Sequence, residues 1–318
     1  MNNPICLLIA RRSEFNLHRI ETVLQHRRVP YEVISPAFDE RETEFTLRIG
    51  GDSNTATLFN GKGKEFCLEH VRSVWTRGPH YIGDAVPTIN TVQSRAIAES
   101  AYALRHLWER LSDRKWVNPL AGIDRTNRVT QSCDAIELGF EVPLSIVSTS
   151  GKAIRDFVDE HGDCIIKPIS QGARSERGPG LVMAERFQIS DELPSIMDVP
   201  ALVQKFVEKH HELRVAVVGD RVFAAAIDSA SDERTRVDSR FWAETGLSYY
   251  RVVLTDEEVS KIVALNRRFG YAYSSMDFIR SSDGTLTFLE ANPSGQWAFL
   301  EFHTGYPITE SIVDLLTA

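Results

Sequence analysis

The sequence predicts a mixed α/β protein, α/β at its N-terminus and α+β towards its C-terminus, and three observations predict it. Strand-like and helix-like runs alternate at the start, hairpin patterns precede helices at the end, and 318 residues are too many for one ordinary core. About two or three packed units sharing a cleft follow from that length.

The apolar run Ile5–Ala10 is the first strand. It is too short to cross a bilayer or to serve as a signal core, and Arg11-Arg12 follow it rather than precede it, as at a solvated strand end. A helix over Phe15–Gln25 and a strand over Tyr31–Ser35 complete a β-α-β opening. After the strand Val71–Trp75, the helical spacing of Ile97, Ala101, Leu104, Trp108 and Leu111 predicts a helix over Ser94–Ser112, with Trp108 in the core.

Trp116-Val-Asn-Pro119 breaks the pattern, so residues 1–118 form an N-terminal unit and a central unit over 119–198 follows. In the central unit the expected order is a helix over Asn127–Leu138 ended by Gly139, then a strand over Val142–Val147. A helix over Lys152–His161 and a strand over Asp163–Lys167 come next, running into the glycine-rich loop 170–180. The third unit, 199–318, opens with the strand Ala201–Val207 and continues with Glu212–Val218, a Gly219-Asp220 turn and Arg221–Ile227. Thr255-Asp-Glu-Glu258 is a capping box for a helix ending near Phe269-Gly270. Strands near Met276–Ile279 and Thr285–Ala291 precede a C-terminal helix from about Ile308.

Composition excludes several classes of function. With 36 Lys and Arg against 44 Asp and Glu, the net charge of -8 gives no electrostatic footprint for nucleic acid or a membrane surface. Cys6, Cys67, Cys133 and Cys164 are far apart and form no C-x-x-C, so neither a zinc site nor a disulfide framework is readable. A reduced, cytoplasmic protein is the expectation. His210-His211 has no partner at metal-ligand spacing and reads as a solvated turn, and Trp297 reads as buried beneath the last helix.

The densest chemical signal is Ser275-Met-Asp-Phe-Ile-Arg-Ser-Ser-Asp-Gly-Thr-Leu-Thr-Phe-Leu-Glu-Ala-Asn-Pro293. If Asp283-Gly284 form a two-residue turn, Ser282 pairs with Thr285 and Asp277 falls opposite Glu290. Strand alternation then puts Asn292 on the same face. Facing carboxylates repel unless a cation lies between them, and an all-oxygen donor set suits Mg²⁺ bound with substrate phosphates. The same residues on an exposed edge hairpin would simply face solvent.

Other features fit a phosphate site. Lys167 ends an apolar strand before the loop carrying Gly172, Gly178 and Gly180, which would bring an ammonium and backbone amides to phosphates or else form an ordinary surface loop. Arg214 lies two residues beyond Glu212, placed to neutralise a transferring phosphoryl group or to make a surface ion pair.

In order, the strand lysine, glycine-rich loop, Val203-Gln-Lys-Phe-Val207, Glu212-Leu-Arg214, Met276-Asp-Phe278 and Leu289-Glu-Ala-Asn-Pro293 resemble the ATP-grasp superfamily. Glu290–Trp297, with Leu300-Glu301, Thr304-Gly305 and Pro307-Ile308, resembles the microviridin-type graspetide synthetases, ribosomal-peptide maturases related to RimK-like ligases. The resemblance extends to Ser73–Pro79 and the helix after it, and so covers nearly the whole chain. It implies an ATP-grasp fold with a pre-ATP-grasp β-α-β domain, a small central domain and a C-terminal domain clasping ATP.

The resemblance also implies ATP and Mg²⁺ as cofactors, with Arg128, Lys167 and Arg214 as phosphate contacts and Asp277, Glu290 and Asn292 as metal ligands. It puts adenine beside Gln204, Lys205, Phe206 and Val207, ribose at Glu208, and the acceptor carboxylate at Asp238 and Arg240. A precursor peptide with a leader segment and a homodimer are the implied partners. Two positions depart from the pattern: Arg128 stands where a lysine is usual, and Thr76-Arg-Gly78 stands where an aromatic residue and two arginines are. An intermolecular ligase and a non-catalytic peptide-binding protein are the alternatives.

Overall fold

The computed structural model describes residues 4–35, 44–48, 55–59, 65–77, 92–119, 122, 127–169, 184–187, 196–227 and 249–318. A parallel sheet of order β2-β1-β6-β7 opens the chain, built from β1 (Ile5–Ile9), β2 (Tyr31–Ile34), β6 (Val71–Thr76) and β7 (Lys115–Val117). Between β2 and β6 lies an antiparallel sheet of β3 (Glu44–Arg48), β4 (Thr55–Phe59) and β5 (Glu65–Cys67), which the sequence pattern did not signal.

Strand β1 explains how the N-terminal sheet is held. Leu7 and Ile9 point into a core with Leu104, Leu107 and Trp108 of α2 (Val92–Glu109). Cys6, Leu8 and Ala10 point the other way, into a core with Leu17, Ile20 and Leu24 of α1 (Phe15–His26). A strand apolar on both faces is the signature of a parallel sheet covered on both sides.

The second of these cores also holds Ala216, Val218, Ala225 and Tyr273 of the C-terminal sheet, with Trp297 and Ile308, Ile312 and Leu316 near the C-terminus. The N-terminal and C-terminal units therefore share a core. Trp297 is 1 % exposed, donates its Nε1–H to Thr309 Oγ1, and packs edge-on against Trp75.

The central sheet has the order β10-β9-β11-β8, from β8 (Ser145–Ser150), β9 (Cys164–Lys167), β10 (Glu185–Phe187) and β11 (Ile196–Lys205). Helix α4 (Gly151–His161) covers it through Ile154 and Phe157. Strand β11, expected to open the third unit, pairs with β8 and β9 in this central sheet, and residue 198 lies inside the strand.

The C-terminal sheet, order β14-β13-β12-β15-β16, is antiparallel throughout. Its strands are β12 (His211–Val218), β13 (Arg221–Ile227), β14 (Tyr250–Arg251), β15 (Tyr273–Arg280) and β16 (Leu286–Asn292). One face packs Leu213, Val215, Met276, Phe278 and Phe288 against α3 (Arg128–Glu137) and α5 (Asp256–Arg268). The capping box of α5 forms as expected, Thr255 Oγ1 accepting from Glu258 N–H and Glu258 Oε2 from Thr255 N–H. Helices α6 (Ala298–Thr304) and α7 (Ile308–Thr317) close the chain.

Candidate active site

The functional residues lie on the other face of the C-terminal sheet. Arg214 pairs with Asp277 across β12 and β15, and Asp277 pairs with Glu290 across β15 and β16. Cross-strand partners share a face, so a cation and two carboxylates form a row over three adjacent strands. Arg214 Nε lies 2.9 Å from Asp277 Oδ1. In the next row Ser275 faces Asn292, which brings the third expected metal ligand to the same side.

The expected pairing of Asp277 with Glu290 is found, but by a different route. Arg280 pairs with Leu286, Ser281 N–H donates to Thr285 O, and Gly284 N–H donates to Ser281 O, so the two-residue turn does not form. Gly284 takes φ +90° at the end of the three-residue loop that forms instead, where a glycine meets a positive φ without strain. That change alone would shift the register by one, and a bulge between Asp277 and Phe278 shifts it back, since Phe278 pairs with Phe288 while Asp277 pairs with Glu290. The bulge leaves Phe288 in the core and turns Glu290 to the opposite face.

Two further cations come from outside the sheet. Arg128, at the start of α3, donates Nε–H to Glu290 Oε2 at 2.7 Å and Nη1–H to the Pro168 carbonyl at 2.5 Å. The second contact brings the end of β9, and with it Lys167, towards Glu290. Burial raises the Glu290 pKa, but the charges of Arg128, Lys167 and Arg214 and the Arg128 hydrogen bond outweigh it, holding the carboxyl below its ordinary value. Burial pulls the Arg214 pKa down, and the opposing charge of Asp277, supported by Tyr249, Glu212 and Glu290, carries it above the ordinary arginine value. Both groups are charged at neutral pH.

The donor set fits magnesium. Among the described residues no group of three or more His, Cys, Asp and Glu side chains stands together, so a metal here would rest on two carboxylates and the Asn292 amide. Those donors are hard oxygens, and incomplete ligation by protein is how Mg²⁺ is commonly held beside phosphates. Asn292 Oδ1 already accepts from Ser294 N–H, which fixes the side chain.

The segment expected beside adenine runs from the end of β11 into its connection to β12. Gln204 is buried, donates to Ser145 Oγ, and has an Oε1 with no partner among the described residues. Lys205 N–H donates to Leu144 O, Phe206 lies under the Arg186 guanidinium at 3.9 Å, and Val207 and Glu208 continue the connection. Asp238, Arg240 and the glycine-rich loop 170–180 lie outside the described residues.

Several residues around the site were not singled out as site residues in the sequence. Lys209 and Glu212 form an ion pair at 2.9 Å, with side chains 4% and 11% exposed. Tyr249 is buried beside Arg214, and burial first, then the charges of Glu212 and Asp277, raises its phenol pKa. Gln131 and Asn118 bind the backbone on either side of Asn292: Gln131 exchanges two hydrogen bonds with Ala291, and Asn118 Nδ2 donates to Pro293 O at 2.6 Å. Gln131 pairs with a residue 160 positions away, beyond the reach of local pattern.

The chain belongs to the RimK-like ATP-grasp family, whose model matches residues 135–316. A relative named probable alpha-L-glutamate ligase, from Haemophilus influenzae, is 24% identical over 186 residues, 57% of this chain and 60% of that one. The chain thus spans about 60% of the length of the curated relatives it matches.

Two solved structures share the fold over nearly their whole length. The Chryseobacterium gregarium RiPP-associated ATP-grasp ligase, in complex with ADP and a leader and core peptide, has a TM-score of 0.83 at 22% identity, covering 99% of this chain and 96% of that one. Macrocyclase MdnB from Microcystis aeruginosa has a TM-score of 0.80 at 24% identity, covering 98% and 99%.

Proposed function

We propose that the chain is an ATP- and Mg²⁺-dependent ligase that closes macrocyclic esters or amides in a ribosomal precursor peptide, which it recognises through a leader segment. The observation that carries this reading is the row of Arg214, Asp277 and Glu290, met from outside the sheet by Arg128. It sets cations suited to phosphate against carboxylates suited to a metal on one face of the sheet. The peptide substrate rests on the likeness to structures named as a macrocyclase and as a ligase bound to leader and core peptides.

In the proposed reaction an Asp or Glu carboxylate of the peptide attacks the γ-phosphorus of ATP, and ADP leaves. A Ser or Thr hydroxyl, or a Lys amine, then attacks the acyl carbon; phosphate leaves and the nucleophile gives up its proton. Magnesium held by Asp277, Glu290 and Asn292 would neutralise charge on the β- and γ-phosphates. Arg128, Lys167 and Arg214 bind and orient the phosphoryl group, and positioning supplies most of the acceleration. Gln204, Lys205, Phe206 and Val207 would border adenine, Glu208 would meet ribose, and Asp238 and Arg240 would place the acceptor carboxylate. No protein nucleophile is required.

Among the described residues no helix is long and apolar enough to cross a membrane. The acidic balance fits a protein that acts on peptide rather than on nucleic acid or a membrane surface, and the resemblance implies a cytoplasmic homodimer. The second reading is an intermolecular ligase adding an amino acid or peptide to an acceptor, and the name of the Haemophilus relative favours it.

Mass spectrometry of short neighbouring open-reading-frame products, co-expressed with the enzyme or with its Glu290→Gln variant, separates the readings. Loss of one or more waters only with active enzyme supports cyclisation, and a mass gain equal to an amino acid or peptide supports the intermolecular ligase. ATP turnover that persists in Glu290→Gln would sink the metal assignment.

A further inference from the structure

The metal loop, Asn292 to Gly295, and the residue before it are held mostly by side chains from outside the segment that the family model matches. Gln131 fixes Ala291, Asn118 fixes Pro293, and Gly295 O accepts two hydrogen bonds at 2.9 Å, from Arg77 Nη1 and from Tyr273 Oη. Tyr273 belongs to the same sheet as the loop. Arg77 does not: it directly follows β6 of the N-terminal unit, 218 residues away in sequence.

Arg77 is built into this position rather than draped over it. It is 8% exposed, its backbone N–H donates to Ile9 O, its Nε stands 2.9 Å from Glu14 Oε1, and its guanidinium lies 5.6 Å from the Trp297 ring centre. Glu14 is held in turn by Asn16, whose Nδ2 also donates to Gln296 Oε1 at 2.6 Å. Beneath the loop, a Cβ on Gly295 would come within 2.3 Å of the Ser275 Cβ, so the loop sits against β15 with no room for a side chain there. A charge already matched by Glu14, with Nη1 committed to a carbonyl, suits a strut better than a receptor for a substrate anion.

We infer that Arg77 is a positioning residue for the metal loop, through which the N-terminal unit sets the geometry of the Asn292 ligand. This rests on the ligase reading above. Outer partners that orient a metal's ligands typically contribute about 10- to 100-fold in metal affinity. Replacing Arg77 should therefore raise the metal requirement of nucleotide binding while leaving metal-free nucleotide binding nearly unchanged.

The test is isothermal titration of AMPPNP into the full chain at a series of Mg²⁺ concentrations, for wild type, Arg77→Met and Arg77→Lys. Arg27→Ala is the control, since Arg27 joins α1 to α7 through Glu310 and Asp314 without touching the loop. The expected result is a Mg²⁺ midpoint about tenfold higher in Arg77→Met, an intermediate shift in Arg77→Lys, and none in Arg27→Ala. If Arg77→Met does not fold, Arg77→Lys decides: a lysine keeps the charge but cannot bind Glu14 and Gly295 O together in the same way. Wild-type Mg²⁺ midpoints in the folded variants would overturn the inference alone. Absence of Mg²⁺-dependent AMPPNP binding in wild type would overturn the ligase reading and the inference with it.

Discussion

Gln131 and Ala291 exchange two hydrogen bonds, Nε2–H to the carbonyl at 2.8 Å and the backbone N–H to Oε1 at 3.0 Å, so a helix side chain completes the ladder of the edge strand β16. Gln131 is fully buried, and Ala291 lies between Glu290 and Asn292 on β16. Gln131→Met should remove both of these buried hydrogen bonds, costing about 1–3 kcal/mol. Chemical denaturation checks the stability loss. A variant as stable as wild type would mean that the strand end finds other partners.

The ion pair of Arg214 and Asp277 should couple in function as well as in stability. Arg214→Met is expected to slow ATP turnover about 10²- to 10³-fold, the loss usual for a donor aimed at developing charge. Asp277→Asn should also be inactive, and the double variant should be far less impaired than the product of the two single losses. Single-turnover ADP release for the four proteins gives the coupling. Multiplicative losses would show that the two side chains act independently.

Acid sensitivity should appear at Glu258, in the first turn of α5. Burial raises its pKa, but Arg280 and the Thr255 backbone N–H lower it more, so the folded value lies below the ordinary one. A depressed carboxyl contributes stability that is fully present above its unfolded pKa and is lost as pH falls through the folded pKa. Glu258→Gln should thus cost about 1 kcal/mol at pH 7, with the difference closing as pH drops below about 4. Denaturation midpoints of both proteins across that range provide the check, and a constant gap would place the effect in packing.

Much of this organisation was legible because local chemistry fixed it. The two-sided apolar β1, the capping box of α5 and the hairpin around Gly219 each depend on neighbours a few residues away. The opposition of Asp277 and Glu290 was legible too, although its expected cause was not the real one: a longer turn and a bulge offset each other. What stayed hidden depends on distant partners. Gln131, Asn118 and Arg77 look like unremarkable polar residues until the fold brings Ala291, Pro293 and Gly295 to them. The pairing of β11 to β8 and β9 was hidden as well, because it leaves no mark on the strand's own apolar pattern.

Arg128 offers the last prediction, since it replaces a lysine expected from the resemblance. Its fork spans two units, Nε to Glu290 on the C-terminal sheet and Nη1 to the Pro168 carbonyl beside Lys167 on the central one. An ammonium is a point charge on a flexible stem and cannot hold both acceptors in one plane. Arg128→Lys should therefore keep the charge that helps bind phosphate but loosen the tie between the units, raising KM for ATP several-fold and leaving kcat within about threefold. Arg128→Met should lose both, lowering kcat and kcat/KM together. Steady-state ATP turnover separates these outcomes. Equal kinetics for wild type and Arg128→Lys would show that the charge alone matters and that the bridge to Pro168 contributes nothing to binding.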